Sequence, residues 1–140
     1  GNVFTTGIES VTGNILTSAG NIFVNAGSGK IGYGTGAGGT VSQSGNKTGG
    51  VTLNKQTGEI TMQNTSLSAA TTVNFLLTNS TISATDLLLI NQTSTANSGG
   101  YVFNAICGSG NANIAVRNIM ASAAGDAIVL RFAVIKGATA

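Results

Sequence analysis

The sequence predicts an all-β fold: an antiparallel, jelly-roll-like β-sandwich head preceded by an N-terminal β-shaft or extended arm. Three observations predict it. From residue 51 onward, short apolar-rich segments recur at regular spacing between clusters of turn residues, the pattern of a sandwich or jelly roll. No segment carries a helical apolar period, and Ser68 to Thr72 could hold at most one turn. Charged residues are only 7% of the chain, against about 25% in an ordinary soluble protein, so Thr, Ser, Asn and Gly must cover the surface. Such a coat opposes self-association weakly and suits a protein that works assembled. A chain of 140 residues supports one domain, with roughly two-thirds of its unfolded surface buried.

Residues 1–25 form the arm. Gly1-Asn2-Val3, Gly7-Ile8, Gly13-Asn14-Ile15 and Gly20-Asn21-Ile22 repeat at spacings of six, six and seven, and Ile8, Ile15 and Ile22 stand seven apart. A coiled coil fails on residue type, because Gly, Thr, Ser and Asn are poor helix formers and Ser18 and Asn25 occupy its second apolar stripe. A ladder of short strands with Gly or Gly-Asn turns fits better, since these residues tolerate the positive φ of sharp turns. One or two apolar side chains per repeat cannot offset an ordering cost of about 1–2 kcal/mol per residue. Such repeats need stacked neighbours, and three copies around one axis would supply them. Val3, Ile8, Ile15 and Ile22 are therefore the expected trimer interface. Read otherwise, the segment is a disordered arm.

Residues 26–50 read as a glycine-rich junction. Gly32-Tyr33-Gly34 and Gly36-Ala37-Gly38-Gly39 superficially match a dinucleotide-binding fingerprint, but that motif needs a helix after it. The following Thr40-Val41-Ser42-Gln43-Ser44 is extended in pattern.

Residues 51–140 are the predicted head. Its strands are expected at Val51 to Asn54, Glu59 to Gln63, Thr72 to Thr78, Asp86 to Gln92, Tyr101 to Ile106, Asn113 to Ile119 and Ala127 to Ile135. Ile60-Thr61-Met62 and Ile114 to Ile119 alternate, whereas Leu76-Leu77 and Leu87 to Ile90 are continuous runs, as in strands covered on both faces. Turn chemistry falls at Asn79-Ser80-Thr81, Ala96 to Gly100 and Gly108 to Asn111.

Little in this chain can carry catalysis. It has no histidine, which removes the commonest general base and any His-containing triad. Its carboxylates are Glu9, Glu59, Asp86 and Asp126. Asp86 with Asp126 is the only pair worth weighing as a glycosidase dyad, which needs two carboxyls about 5–10 Å apart. Turn formation, or pairing with Arg117 and Arg131, is their plainer role. No D-x-D pattern suggests calcium, so no cofactor or metal is expected. Cys107 follows Ala105 and Ile106 and is expected to be buried and inert. Lys30, Lys47, Lys55, Arg117, Arg131 and Lys136 form no run, so a net charge of +2 does not mark a nucleic-acid partner. The aliphatic run Leu87 to Ile90 is far short of the ~20 residues that span a bilayer, and a soluble product without a membrane partner is expected. No signal peptide is visible; the first residue is Gly1, as a processed precursor would leave it. Four N-x-S/T triplets, at Asn46, Asn64, Asn79 and Asn91, fit chance in so Asn-, Ser- and Thr-rich a chain. Sugar platforms need exposed aromatics; Trp is absent, Phe75, Phe103 and Phe132 read as core, and Tyr101 after Gly99-Gly100 is the candidate surface recognition residue.

Two stretches carry a family resemblance. Gly32-Tyr33-Gly34-Thr35-Gly36-Ala37-Gly38-Gly39-Thr40-Val41 with Thr52-Leu53-Asn54-Lys55, and Val116-Arg117-Asn118-Ile119 with Ala127 to Lys136, resemble a motif of bacteriophage virion proteins. Together they span most of residues 31–137, and the Gly-Asn-Ile arm resembles the thin trimeric β-shafts of phage fibres. The resemblance implies a non-enzymatic structural component of the virion, on the capsid exterior or tail. In related proteins the motif closes a longer fibre-like chain, whereas little precedes it here. A homotrimeric spike or a cement (capsid decoration) protein therefore fits better than a full tail fibre. The implied partners are its own copies and the major capsid protein or other virion proteins. The alternative, the receptor-binding tip of a tail fibre, adds a host surface receptor.

Overall fold

A computed structural model describes Gly27 and residues 30–138, and the expected arm interface at Val3, Ile8, Ile15 and Ile22 lies outside the described residues. The chain divides into two units, Gly1–Gly32 and Tyr33–Ala140, and the second holds every strand given below. Among the described residues there are eight strands and no helix: β1 Thr40–Ser42, β2 Val51–Thr52, β3 Thr57–Thr61, β4 Thr72–Thr78, β5 Leu87–Gln92, β6 Tyr101–Gly108, β7 Asn111–Asn118 and β8 Val129–Ile135. They form two four-stranded sheets, ordered β1-β3-β8-β5 and β2-β4-β7-β6, which pack as a β-sandwich.

The pairing is mixed rather than purely antiparallel. β3–β8, β5–β8, β4–β7 and β6–β7 are antiparallel, but β1 runs parallel to β3 and β2 parallel to β4. The parallel pairs follow from chain path, because β1 and β2 each reach their partner through a crossover rather than a tight turn. β1 also lies inside the stretch expected to be a junction, so the sandwich takes in part of residues 26–50.

Alternation fixes which side chains make the core. Ile60 of β3 and Leu130, Phe132 and Val134 of β8 point inward from one sheet; Phe75 and Leu77 of β4 and Ala112, Ile114 and Val116 of β7 do so from the other, and all join one buried cluster. Met62, Leu67, Ile82 and Ile128 fill it from the connections. β6 and β7 meet in a hairpin in which Gly108 pairs with Asn111, and Gly110 at φ +73° takes the left-handed position that closes it. Gly58 is the one strand glycine the core demands: a Cβ there would stand 2.6 Å from Leu53 Cδ2 and 2.8 Å from the Gly39 carbonyl oxygen.

Candidate functional site

The polar groups with chemical potential gather in one network at the end of the sandwich where β6 begins. Burial covers Gln43 and Lys47 almost completely. The Lys47 amine donates to the carbonyl oxygens of Gln63 and Asp126, and its backbone N–H donates to Thr65 Oγ1 at 3.2 Å. Gln43 Nε2 donates to the Lys47 and Gly49 carbonyls at 3.1 and 2.8 Å, while its Oε1 accepts from the Gln63 N–H at 3.1 Å. Asp126 Oδ2 accepts from Asn97 Nδ2 and, at 2.6 Å, from the Tyr101 hydroxyl.

Each titration shift has a cause in this geometry. Desolvation holds the Lys47 ammonium below the ordinary lysine range, against the pull of Asp126. The bonds from Asn97 and then Tyr101 hold the Asp126 carboxyl below its ordinary 3.8. Burial, and next the bond to Asp126, push the Tyr101 phenol well above its ordinary 10.0. Lysine stays tied to carbonyls, tyrosine stays protonated and aspartate stays ionised. The arrangement ties loops together.

Tyr101 therefore stands corrected. Expected as an exposed tip, it is 6% exposed and its hydroxyl donates to Asp126, because its strand position points inward and the phenol meets that partly buried carboxylate.

The other charges pair differently from expectation. Asp86 Oδ2 accepts from Lys136 Nζ at 2.6 Å and from the Ser83 N–H at 2.8 Å, bonds that hold its carboxyl below the usual range. Arg131 pairs with Glu59, directly opposite in the β3–β8 register. Asp86 borders the end where Leu87 pairs with Ile135, whereas Asp126 lies beyond the end where Gln92 pairs with Leu130. Six residues of strand between them span about 20 Å, too far for the paired-carboxylate arrangement. Cys107 is half-buried rather than buried; burial, then the nearby Asp86, push its thiol pKa upward. Among the described residues no group of three or more His, Cys, Asp or Glu side chains could hold a metal, and no helix is long and apolar enough to cross a membrane.

What the structure leaves open is sheet surface. Leu76, Leu87, Leu89, Val102 and Ile135 are each about half exposed, and Ile106 about two-thirds. Leu76, Leu87 and Leu89 belong to runs expected to be covered on both faces, yet within one chain only the inward residues are covered. On the outer face of the β1-β3-β8-β5 sheet lie two shallow grooves, of about 300 and 260 Å³, both lined by Thr57 and Arg131. This face was not singled out from sequence, although the uninterrupted Leu87-Leu88-Leu89-Ile90 run was its signal. No family model matches the sequence, and no curated protein or solved structure matches it either.

Proposed function

We propose that this chain is a homotrimeric structural protein of a bacteriophage particle, a spike or cement protein on the capsid exterior, without enzymatic activity. The observation that carries this reading is the pairing of a nearly uncharged β-sandwich with bare leucine and isoleucine on its outer sheet face. Such a surface is suited to a life in contact with other protein. The Gly-Asn-Ile repeat and the resemblance of residues 31–137 to a phage virion motif supply the particle and the trimer. The partners in this reading are the chain's own copies and the major capsid protein or other virion proteins. The alternative, a tail-fibre tip that recognises a host receptor through Tyr101 or the loop at residues 93–100, loses its Tyr101 part because that residue is buried, while most of the loop is exposed.

The trimer is tested through the arm. Burying Ile8, Ile15 and Ile22 between copies would contribute roughly 1.5–3 kcal/mol per side chain. Ile15→Asp is expected to dissociate the trimer while leaving the head folded, read by mass photometry beside circular dichroism. An unchanged trimer would show that the arm is not the assembly element. Imaging of labelled protein on intact particles tests the location, and label on the tail alone would remove the capsid reading.

A further inference from the structure

We infer that Asp126 is the latch of an acid-operated strap: its carboxylate holds the β5–β6 connection against the β7–β8 connection, and acid frees residues 95–99 while both sheets stay folded. The inference goes beyond the structural role proposed above and does not rest on it.

Both connections cross from one sheet to the other. The first leaves Gln92 and enters Tyr101; the second leaves Asn118 and enters Val129. Residues 95–99 are all exposed and include no apolar side chain larger than Ala96, so packing does not hold them. Among the described residues, most of their hydrogen bonds stay within the same connection. The Ser98 N–H donates to the Thr95 carbonyl at 3.4 Å, the Gly100 N–H to the Asn97 carbonyl at 2.8 Å, and Gln92 Nε2 to the Ala96 carbonyl at 2.8 Å. A single bond reaches another connection, from Asn97 Nδ2 to Asp126 Oδ2 at 2.5 Å.

The same oxygen accepts from the Tyr101 hydroxyl at 2.6 Å, so one carboxylate oxygen serves two donors. The groups that face Asp126 are Asn97, Tyr101 at the start of β6, and Lys47 from the β1–β2 connection; no other titratable group acts on it among the described residues. Lys47 bonds the Asp126 backbone carbonyl rather than the carboxylate, and acid leaves its ammonium charged. The switch is therefore the carboxylate alone. Hydrogen bonds to an ionised acceptor are about twice as strong as neutral ones, and a protonated carboxyl gives up that advantage toward both donors at once. Because Asn97 and Tyr101 hold the carboxyl below its ordinary range, the strap stays closed until the solution is distinctly acid.

Release is local because both ends of the strap have other ties. At the β5 end the Thr93 N–H donates to the Val129 carbonyl at 2.8 Å, and Ser94 Oγ accepts from the Val129 N–H at 3.1 Å. At the β6 end the Gly100 carbonyl accepts from the Ile119 N–H at 3.0 Å, and Tyr101 pairs with Asn118 while its ring stays in the buried cluster. Only the span between these two points lifts.

Two readouts on the full chain test it. The chain has two tyrosines and no tryptophan, so Tyr33→Phe leaves Tyr101 as the sole emitter, and a phenol bonded to a carboxylate fluoresces weakly. In that background emission is expected to rise as pH falls below about 4, while far-UV circular dichroism keeps its neutral form. Adding Asp126→Asn is expected to make the titration flat. Emission that stays level until the sheets unfold, or that still rises in Asp126→Asn, would overturn the latch. The strap itself is read by amide exchange, corrected for intrinsic rates. Asn97→Ala at neutral pH is expected to lower protection of the Ser98 and Gly100 amides roughly tenfold, the difference between a charge-assisted and a neutral hydrogen bond, with β4 and β7 amides unchanged. Unchanged protection at Ser98 and Gly100 would overturn the strap. Should a variant fail to fold, the unaltered chain decides: the same two amides are expected to lose protection at about pH 3 relative to about pH 6 while strand amides keep theirs, and equal protection would overturn the inference.

Discussion

Lys47 shows how one side chain can hold three loops. Its amine reaches the carbonyls of Gln63 and Asp126, and Gln43 wraps the turn that carries it. Lys47→Met keeps much of the volume but strands two carbonyls away from water, at about 1–3 kcal/mol for each group left unmet. Urea unfolding is expected to show a loss of about 2–6 kcal/mol. Asn118 plays the matching part at the end of β7: its Nδ2 donates to the Leu67, Ser68 and Ser122 carbonyls at 3.0, 3.2 and 3.0 Å, and its Oδ1 accepts from the Met120 N–H at 2.9 Å.

Asp126 makes stability depend on acid. Its folded pKa lies below the unfolded value near 3.8, so its contribution is full above that value and is lost as pH falls through the folded pKa. Asp86 works in the same direction. Denaturant midpoints are expected to be level near neutral pH and to drop below about pH 4. In Asp126→Asn that drop is expected to be shallower, with a lower plateau at neutral pH, and an unaltered acid limb would show that this carboxylate is not coupled to folding.

At the scale of elements, β3 depends on a missing side chain. Gly58 lies where Leu53 and Phe132 converge, with Phe132 Cε1 3.1 Å from where a Cβ would be and the Gly39 carbonyl close behind. A leucine methyl can move, but a backbone carbonyl paired into the sheet cannot. Gly58→Ala is expected to cost about 2–3 kcal/mol of overpacking, measured as a fall in the denaturant midpoint without a change in slope.

The strands themselves were largely legible. β4 is as read, and β5, β6, β7 and β8 differ from expectation by one or two residues at their ends, because period-two alternation and glycine-asparagine turns are local signals. The parallel pairing of β1 and β2 was not legible. Both are short, and their partners are chosen by crossovers between sheets rather than by anything in Thr40–Ser42 or Val51–Thr52. Tyr101 was misread for a related reason: its neighbours Gly99 and Gly100 announce a turn, but burial is decided by Asp126, twenty-five residues further on. The leucine runs misled differently. They signal two covered faces, and one chain supplies only one.

For the whole molecule, the division at Tyr33 has a consequence for design. The unit Tyr33–Ala140 contains the entire buried cluster. A fragment of residues 33–140 is expected to melt cooperatively with a β-type circular dichroism spectrum and, on the proposal of an arm-linked trimer, to be monomeric. A non-cooperative melt would mean that the leading residues belong to the core. Low charge bears on the same experiment, since 7% charged residues give the isolated head little electrostatic self-repulsion.

The position of β8 reaches beyond the finished structure. It lies between β3 and β5 and is the last strand in the chain. Until Ile135 has left the ribosome β5 has no hydrogen-bonded neighbour in its sheet and β3 has only the three-residue β1, so this sheet cannot close before its central strand is made. Throughout that interval the nascent chain displays Leu87-Leu88-Leu89-Ile90 with nothing to pair against. Rapid completion, or a chaperone that shields this stretch, becomes part of what the gene must secure.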